Sequence, residues 1–513
     1  MSLARATLRA LSGASGVLVA LLASTLLLVA CGNQVAHRPG ARSTATGVPQ
    51  GAQAQLASVP DGDWLTFDYD SHRGGIGPSA TGITAANVAR LSRRTVPLPG
   101  VADSTAIQLH GVNIGGKSRD VDVVTTTYGR TIAFDPATGK RLWEFVPADI
   151  RTYQGSAQIT TASPVADPGR RYLYAASPDG FIHKLAAVNG RQVWAVRVTY
   201  SPSREKIASA LNISGRYVIA TTGGYFGDHP TYQGHVAAIS RVSGHVTHVW
   251  NSLCSKRHYL LHPPSSCPAS DSAIWARSGA VVEPATRRLL VATGNGPFNG
   301  HTNWGDSVLE LSSDASGLLH NWTPKNRAAL NRNDSDLGST APVLLRGTSL
   351  AVQGGKSGKL ALLDLHKLNG TAGGAGPKTG GQLQTLATPG SAELFSAPVS
   401  FTRSGRTYLV VADGSATAGY ELSHRRLHQV WERHTAGTSP VIAGGLLFVY
   451  DQIAGRLRVM NPTTGKSLAA LPAASGHWSS PIVVGGRVIL PVGGSSSDNA
   501  LSGKVLVYHL PGR

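Results

Sequence analysis

The chain has 513 residues, of which 41% are hydrophobic and only 15% are charged, and it contains 60 glycines. This composition provides enough apolar material for a large core, and it suits a turn-rich all-β protein better than a helical one. The formal net charge of +19 favours anionic partners such as lipid headgroups or cell-wall polymers. No dense basic run with interleaved aromatic residues occurs, so we expect a diffuse, solvated positive surface and no nucleic-acid partner.

The first 30 residues have the pattern of an export signal. Arg5 and Arg9 form a basic start, and residues 16–30 form an apolar stretch that is shorter than the roughly 20 residues of a membrane-spanning helix. The stretch ends in Leu-Val-Ala-Cys31, which resembles the lipobox of bacterial lipoproteins. The resemblance implies cleavage before Cys31 and a lipid on its sulfur, hence an exported, extracytoplasmic protein anchored to the cell membrane. An ordinary signal peptide or an uncleaved anchor with an incidental cysteine is the alternative.

The remaining two cysteines of the three in the chain, Cys254 and Cys267, enclose a polar, proline-containing segment typical of a surface loop. In an oxidising compartment they are expected to form a disulfide, worth about 3 kcal/mol on the loop-entropy estimate. A zinc site with His258 and His262 is the alternative, because the ligand types fit. Thiolate zinc sites are less expected outside the cytosol, so the disulfide is favoured.

The segment 31–60 is predicted to be a lipidated, flexible tether. It is rich in Gly, Ala, Ser, Thr, Gln and Pro and has few bulky apolar residues, so it cannot bury a core of its own. The folded body is expected to occupy 61–513.

The body consists of repeats, and the repeats determine the expected fold. Each copy has a strand-like alternating stretch and a following turn glycine, and most copies have a Trp on the next strand. The copies occupy 130–143, 180–194, 234–250, 307–322, 358–370, 419–431, 455–466 and 503–508. A spacing of about 40 to 70 residues accommodates four strands, and a radial array of four-stranded antiparallel sheets is a β-propeller. The pattern favours eight blades, and a seven-bladed propeller is the alternative.

The last strand, near Val505–His509, has no strands after it. We expect it to complete its blade with strands from around residues 64–100, because such closure removes free sheet edges. Trp143, Trp194 and Trp431 are expected to serve core packing only.

The first repeat, residues 133–143 with the pattern Ala-x-Asp-x-x-Thr-Gly-Lys-x-x-Trp, resembles the tryptophan-docking motif of quinoprotein propellers. That family includes pyrroloquinoline quinone (PQQ) alcohol dehydrogenases and outer-membrane assembly lipoproteins. Residues 64–73 also look like the opening of the dehydrogenases, and the resemblance covers most of 62–510. The motif is more specific for the fold than for activity.

In the dehydrogenases, PQQ and Ca²⁺ lie on the propeller axis, and the resemblance assigns roles to five residues here. Trp275 matches the Trp that stacks under the quinone, and Lys356 matches the basic residue that polarises the quinone oxygens. Asn295 matches the amide ligand of the metal. Asp334 matches the catalytic base that accepts the alcohol proton, with Asp336 as the alternative.

One departure from the family pattern concerns the metal. The family's metal-binding glutamate lies in a Gly-x-Glu-x-Gly segment, and Tyr225 stands at that position in 223–227. Ca²⁺ would lose its charged bidentate ligand, unless Asp228 replaced it. The vicinal cysteine pair and the Cys-x-x-Cys-His haem motif are also absent from the sequence.

The sequence therefore favours an exported lipoprotein whose propeller is a non-catalytic binding or scaffold module for an envelope protein or anionic polymer, with no cofactor required. The alternative is a PQQ- and Ca²⁺-dependent alcohol or sugar dehydrogenase that delivers electrons to the membrane. A hydrolase is not expected, because the sequence has neither a Gly-x-Ser-x-Gly nucleophile elbow nor a His-Glu-x-x-His motif.

Overall fold

The computed structural model describes residues 62–225, 231–370, 378–494 and 500–511. The predicted signal peptide, Cys31, the tether and Asp228 lie outside these residues. Within the described ranges, none of the helices is long and apolar enough to cross a bilayer.

The described residues form an all-β fold with 34 strands. The first group of strands comprises β1 (Ser92–Leu98), β2 (Ile107–Ile114), β3 (Lys117–Thr125), β4 (Thr131–Phe134), β5 (Arg141–Phe145), β6 (Val165–Ala166), β7 (Tyr172–Ser177), β8 (Phe181–Ala186), β9 (Gln192–Arg197), β10 (Glu205–Lys206), β11 (Asn212–Ser214), β12 (Tyr217–Thr221), β13 (Gly223–Gly224), β14 (His235–Ser240) and β15 (Val246–Asn251). The second group comprises β16 (Val281–Val282), β17 (Leu289–Ala292), β18 (Val308–Leu311), β19 (Leu318–Trp322), β20 (Val343–Leu344), β21 (Leu350–Gln353), β22 (Lys359–Asp364), β23 (Gln384–Ala387), β24 (Val399–Arg403), β25 (Arg406–Ala412), β26 (Thr417–Ser423), β27 (Arg426–Arg433), β28 (Val441–Ala443), β29 (Leu446–Asp451), β30 (Arg456–Met460), β31 (Ser467–Pro472), β32 (Ile482–Val484), β33 (Arg487–Val492) and β34 (Gly503–His509). The helices are short: α1 (Ile150–Tyr153), α2 (Arg327–Arg332) and the 3-10 turns Val88–Arg90, Leu337–Ser339 and Leu365–Lys367.

Eight four-stranded antiparallel sheets form the blades, which confirms the eight-bladed propeller. Blades 1 to 7 are, in order, β2–β5, β6–β9, the sheet of β11, β12, β14 and β15, then β16–β19, β20–β23, β24–β27 and β28–β31. Every repeat seen in the sequence includes the third strand of a blade, and most repeats continue through the following hairpin into the fourth strand, with one repeat per blade. An extra two-stranded sheet of β10 and β13 lies outside the blades, with Glu205 opposite Gly224.

The ring closes as the sequence predicts. Blade 8 contains β32, β33 and β34 from the C-terminus, and its fourth strand is β1 from the N-terminal part. Val96 pairs with Val505, and the ladder runs from Ser92 opposite His509 to Leu98 opposite Gly503. β34 is therefore paired on both sides, with β33 and with β1, and is not a free sheet edge.

The tryptophans pack between neighbouring blades, as expected. The Trp143 indole donates to the carbonyl of Ala187 in the next blade at 2.8 Å, and Trp431 donates to Pro462 at 3.0 Å. Each ring lies against the glycine of the next blade's hairpin, so a Cβ at Gly190 or Gly465 would overlap the indole. Both glycines have positive φ, so the turn geometry and the indole contact select glycine together.

Replacing Trp431 with Ala should therefore lower the free energy of unfolding by about 3–5 kcal/mol. The reason is the loss of a buried indole between blades 6 and 7, together with its hydrogen bond. Trp431→Phe keeps an aromatic ring and should lose roughly half as much or less. Urea denaturation followed by circular dichroism would measure both variants, and equal losses would contradict the packing role.

The N-terminal segment 62–80 crosses the propeller instead of extending away from it. Trp64 is buried and bridges to Gln108 in blade 1, whereas Ile76 bridges to Ile442 in blade 7. Between them Arg73 is buried and donates to the carbonyls of Ala210 and Leu211 at the start of blade 3. The segment therefore lies across the middle of the ring and joins blades on opposite sides.

Cys254 and Cys267 form the expected disulfide, with their Cα atoms 6.2 Å apart. The zinc alternative is therefore wrong, because both thiols are consumed. His262 instead stacks its ring on Tyr200 at 4.2 Å.

Candidate functional site

Antiparallel pairing gives the propeller two different faces. In every blade the hairpin between the second and third strands and the link to the next blade lie at the same end of the strands. These connections form what we call the cavity face: 99–106, 126–130, 146–164, 178–180, 198–211, 222–225, 231–234, 252–280, 293–307, 323–342, 354–358, 388–398, 413–416, 434–440, 452–455 and 473–481. A cavity of about 1040 Å³ opens among them, with residues from several blades around the axis in its wall.

The residues that the resemblance singles out come together at this cavity. Trp275, Asp334, Asp336, Lys356 and Tyr225 all line it. They come from the link before blade 4, the link before blade 5, the second hairpin of blade 5 and the strand β13 region. The sequence therefore predicts the location of the site. The arrangement of these five side chains, however, differs from that of the ligands in a metal centre.

Lys356 is the centre of the arrangement. Its Nζ lies 2.5 Å from Asp336 Oδ2, 3.2 Å from Asp334 Oδ1 and 5.6 Å from the centroid of the Trp275 ring. The ammonium thus bridges both candidate bases and lies over the indole. Because the Lys356 ammonium is paired with two carboxylates, its positive charge is compensated within the site and is less available to a ligand.

Asn295 completes the cluster from the neighbouring hairpin. Its Nδ2 donates to Asp334 Oδ1 at 2.9 Å, and its backbone N–H donates to Asp336 Oδ1 at 2.8 Å. Its Oδ1 is buried without a hydrogen-bond partner among the described residues. A Cβ at Gly294 would overlap Asp336 Oδ1, so glycine is required for this close approach.

The two carboxylates differ in environment. Asp334 is largely exposed, with 67% of its side chain accessible, whereas Asp336 is buried. Burial raises the pKa of Asp336, although Lys356 and the Asn295 N–H oppose the rise. Burial lowers the pKa of the Lys356 ammonium. The neighbouring Asp336 and Asp334 together outweigh this effect and raise the pKa above its usual value. Asp334 is therefore the more accessible base, and Asp336 is the stronger partner of the lysine.

A further acid lies behind this cluster. Burial raises the pKa of Asp306 to about 8, with Asp336 adding to the rise and the Leu337 N–H opposing it. A raised folded-state pKa contributes stability that is complete below the unfolded pKa of about 4 and disappears as the pH rises through the folded value. Asp306 is therefore predicted to make the fold less stable as the pH rises from about 4 to about 8.

Asp306→Asn keeps the oxygen that accepts from Leu337 and removes the titration. The variant should gain stability relative to the native chain as the pH rises from about 4.5 to about 8, because the native chain must ionise a buried acid. Urea denaturation at several pH values would measure the difference, with the exposed Asp149→Asn as control. Parallel curves for the native chain and Asp306→Asn would refute this assignment.

Aromatic rings form a continuous wall beside the cluster. Trp478 stacks on Phe395 at 4.4 Å with an interplanar angle of 15°, and Phe395 lies 6.0 Å from Trp275. His477 stacks on the other side of Trp478 at 4.1 Å. The wall suits a ligand with flat rings, because planar groups stack on aromatic faces.

A second ion-pair cluster supports this wall. Arg277 donates to Asp103 Oδ2 at 2.5 Å and lies over the Trp478 ring at 5.3 Å. His477 Nδ1 contacts the same Asp103 oxygen at 2.7 Å. Burial alone would raise the pKa of Asp103, but Arg277 and His477 hold it well below its usual value.

Sequence reasoning missed Asp103, Arg277, His477, Phe395 and Trp478. A usable signal existed for Asp103, which is a charged residue in an otherwise apolar or small link between two blades. Arg277 follows the assigned Trp275 by two residues, so both side chains were within reach of the same site.

Tyr225 occupies the position that the resemblance assigns to a metal-binding glutamate. Its hydroxyl donates to the Pro202 carbonyl at 3.0 Å, and burial raises the pKa of the phenol. The side chain is thus a neutral hydrogen-bond donor held by the adjacent link, and it offers no carboxylate to a cation.

The residues present do not fit a Ca²⁺ ion. Ca²⁺ takes six to eight oxygen ligands, commonly with bidentate carboxylates. Here Asn295 Oδ1 is one available oxygen, but Asp334 and Asp336 are already bound to the Lys356 ammonium. Among the described residues, no group of three or more His, Cys, Asp or Glu side chains could hold a metal ion.

Comparison with known proteins finds relatives among two groups of propeller proteins. The sequence model of the family described as outer membrane protein assembly factor BamB matches residues 86–282. A quinoprotein alcohol dehydrogenase, PedH of Pseudomonas putida, is 23% identical over 218 residues, which is 37% of this chain and 34% of that protein. The match thus spans about a third of that relative's length. The chain is therefore similar to both propeller groups that the repeats indicate.

Solved structures share the whole propeller. The quinohemoprotein alcohol dehydrogenase of Comamonas testosteroni matches with a TM-score of 0.64 and 16% identity, over 88% of this chain and 81% of that one. A europium-containing methanol dehydrogenase gives 0.62 and 15%, over 88% and 98%. BamB of Moraxella catarrhalis gives 0.51 and 14%, over 82% and 99%. The fold is that of a quinoprotein-type eight-bladed β-propeller.

Proposed function

We propose that the chain is an exported, lipid-anchored binding propeller that docks an envelope protein or an anionic polymer at its cavity face and has no dehydrogenase activity. The observation that carries this proposal is the state of the carboxylates. Lys356 binds both Asp334 and Asp336, and Tyr225 replaces the remaining acid of the metal site.

The cavity supports binding without redox chemistry. Its volume of about 1040 Å³ is at the upper end of small-molecule pockets, so it can admit a loop or a polymer segment. The stacked rings of Phe395, Trp478 and Trp275 offer flat apolar contacts, and Lys206 brings positive charge to the wall. Links supported by a rigid propeller suit this role, because they hold the contact residues in place.

A second candidate is the PQQ-dependent dehydrogenase. The specific observation in its favour is the convergence of Trp275, Asn295, Asp334 and Lys356, together with the unpartnered Asn295 Oδ1. The aromatic wall and Lys356 are also compatible with a planar anionic quinone. PQQ would supply the two-electron redox chemistry if it were bound. Trp275 would then hold its ring, and Lys356 would face its oxygens.

Calorimetric titration of PQQ into the purified propeller separates the two candidates. The binding-protein proposal predicts that Ca²⁺ does not change the result: PQQ either fails to bind at tens of micromolar or binds equally well in the presence of a chelator. Stoichiometric binding that requires Ca²⁺ would instead establish the dehydrogenase-type site. The matched variant is Asn295→Asp, which replaces the amide that carries the orphaned oxygen with a carboxylate and should increase any Ca²⁺ dependence.

A further inference from the structure

The face opposite the cavity has a different charge from the rest of the molecule. We call it the turn face and define it by the hairpins between first and second and between third and fourth strands of the blades: 115–117, 135–141, 167–171, 187–191, 215–216, 241–245, 283–288, 312–317, 345–349, 365–370, 403–406, 424–426, 444–445, 461–466 and 485–487. Antiparallel pairing places all of these hairpins at the same end of the strands.

Every exposed charged side chain of the turn face is basic. The set comprises Lys117, Lys140, Arg141, Arg171, Arg191, Arg216, Arg346, Lys367, Arg403, Arg406, Arg425, Arg426 and Lys466. The acids of the same hairpins, Asp135, Asp167, Glu283 and Asp314, are buried or partly buried. By contrast, exposed acids such as Asp149, Asp334 and Glu393 lie on the cavity face.

Local ion pairs neutralise only part of the turn face. Arg406 pairs with Glu421 at 3.1 Å and Arg425 pairs with Asp364 at 2.7 Å. Lys140, Arg191 and Lys466 form no ion pair with any described residue. The sequence predicts a diffuse positive charge. The structure instead concentrates the exposed cations in a ring at one end of the propeller.

The N-terminal end of the described chain lies at this same face. Asp63 Oδ1 accepts from the backbone N–H of His110 in β2, and its Oδ2 lies 3.7 Å from Arg170 of a turn-face hairpin. The proposed lipid site, Cys31, precedes Gly62 by about 30 residues, which extended chain could stretch over ~100 Å. A tether of that reach would not orient the propeller by itself. A second contact is therefore needed to hold one particular face of the propeller against the membrane.

We infer that the turn face docks on an anionic lipid surface, so that the cavity face points away from the membrane. Three features of the molecule favour this orientation: a broad ring of exposed cations, the absence of exposed acids from the described turn-face hairpins, and the attachment point of the N-terminal chain. Hairpins distributed around eight blades form a wide surface that matches a flat bilayer better than a single polymer strand. Each cation near an anionic surface contributes about 1 kcal/mol, and the attraction falls off over about 10 Å in 0.1 M salt.

This inference uses the proposed anchor only to explain the orientation, so it can be tested without lipidation. Residues 54–513 contain all eight blades and the closing strand β1, and they form one compact unit. This unlipidated propeller should sediment with vesicles of phosphatidylcholine containing 30% phosphatidylglycerol in 0.1 M NaCl. It should not sediment with pure phosphatidylcholine vesicles, and 0.5 M NaCl should release it.

Charge reversal identifies the face. The triple variant Arg403→Glu, Arg426→Glu and Lys466→Glu removes turn-face cations, and it should lower the partition coefficient on anionic vesicles at least about tenfold. The matched variant Arg151→Glu, Lys256→Glu and Arg332→Glu changes the net charge equally on the cavity face, and it should bind within about twofold of the native propeller.

Three outcomes would overturn the inference: no binding of the native propeller to anionic vesicles, equal losses for the two triple variants, or binding to a soluble polyanion such as polyphosphate without binding to the vesicles. Loss of PQQ or partner binding at the cavity would leave these vesicle results unchanged. Failure of the inference and failure of the proposed function are therefore distinguishable.

Discussion

Arg277→Met should lower the free energy of unfolding at pH 7 by about 3–5 kcal/mol, because it leaves the buried carboxylate of Asp103 without its main partner. Asp103 is completely buried, and only 10% of the Arg277 side chain is exposed. Screening by solvent is therefore weak at this pair. Arg277 also lies over Trp478, so the same substitution loosens the aromatic wall.

The loss should depend on pH in a defined direction. Arg277 and His477 hold the pKa of Asp103 below its unfolded value, so the pair contributes stability that is complete above about pH 4 and disappears as the pH falls through the folded pKa. In the variant, burial raises the pKa of Asp103, and protonation relieves the unpaired charge. The difference between the two chains should therefore shrink on acidification.

Urea denaturation at pH 7 and near pH 4 measures both effects. Arg151→Met, an exposed change on the same face, should stay within about 0.5 kcal/mol of the native chain. A loss below about 1 kcal/mol at pH 7, or a loss that does not shrink at low pH, would show that the pair does not hold the carboxylate in its charged form.

Tyr225→Glu should raise the affinity of the cavity for Ca²⁺. The substitution adds a carboxylate to the cavity that Asp334 and Asp336 also line. A charged, potentially bidentate ligand is the element that the resemblance identifies as missing. We expect the Ca²⁺ affinity to rise at least about tenfold, or about 1.4 kcal/mol of binding free energy.

Tyr225→Gln is the matched control for that variant. Both substitutions remove the phenol that donates to Pro202, but Gln brings no charge. Calorimetric Ca²⁺ titrations should show tighter binding for the Glu variant alone. Equal affinity in the two variants would mean that position 225 does not determine metal binding.

The blades could be predicted from the sequence because their repeats are local. A strand followed by a turn glycine and a Trp occupies a short window, and each such window became the outer half of one blade. The closing strand was predictable for a topological reason, since a last strand such as β34 needs a partner on its outer side. The disulfide followed from cysteine counting, together with the expectation that the chain is exported.

Contacts between distant segments were not predictable in the same way. Arg277 and Asp103 are far apart in the chain and meet only because the ring brings two links together at the axis. The path of residues 62–80 across the propeller depends on contacts of Arg73 and Ile76 with opposite blades, which leave no local pattern.

The charge distribution shows the same distinction. Lys140 and Lys466 are unremarkable turn residues in the linear sequence, and the chain shows no basic run. They lie on the turn face because antiparallel pairing places every second hairpin of a blade at the same end of the strands. The exposed acids Asp149, Asp334 and Glu393 are sorted to the opposite face by the same pairing.

The carried-over site was predictable in location but not in chemistry. Trp275, Asn295, Asp334 and Lys356 do converge, as the resemblance implies. The bridge from Lys356 to both acids became visible only in three dimensions, and it makes the site an ion-paired cluster instead of the metal centre that the resemblance implies.

The most direct test of the absence of dehydrogenase activity is a dye-linked turnover assay. The full chain would be loaded with excess PQQ and Ca²⁺ and offered primary alcohols and sugars, with an active quinoprotein dehydrogenase assayed in parallel. The account predicts no dye reduction above that of PQQ and Ca²⁺ without protein. Sustained, substrate-dependent dye reduction that disappears in Asp334→Asn would contradict it.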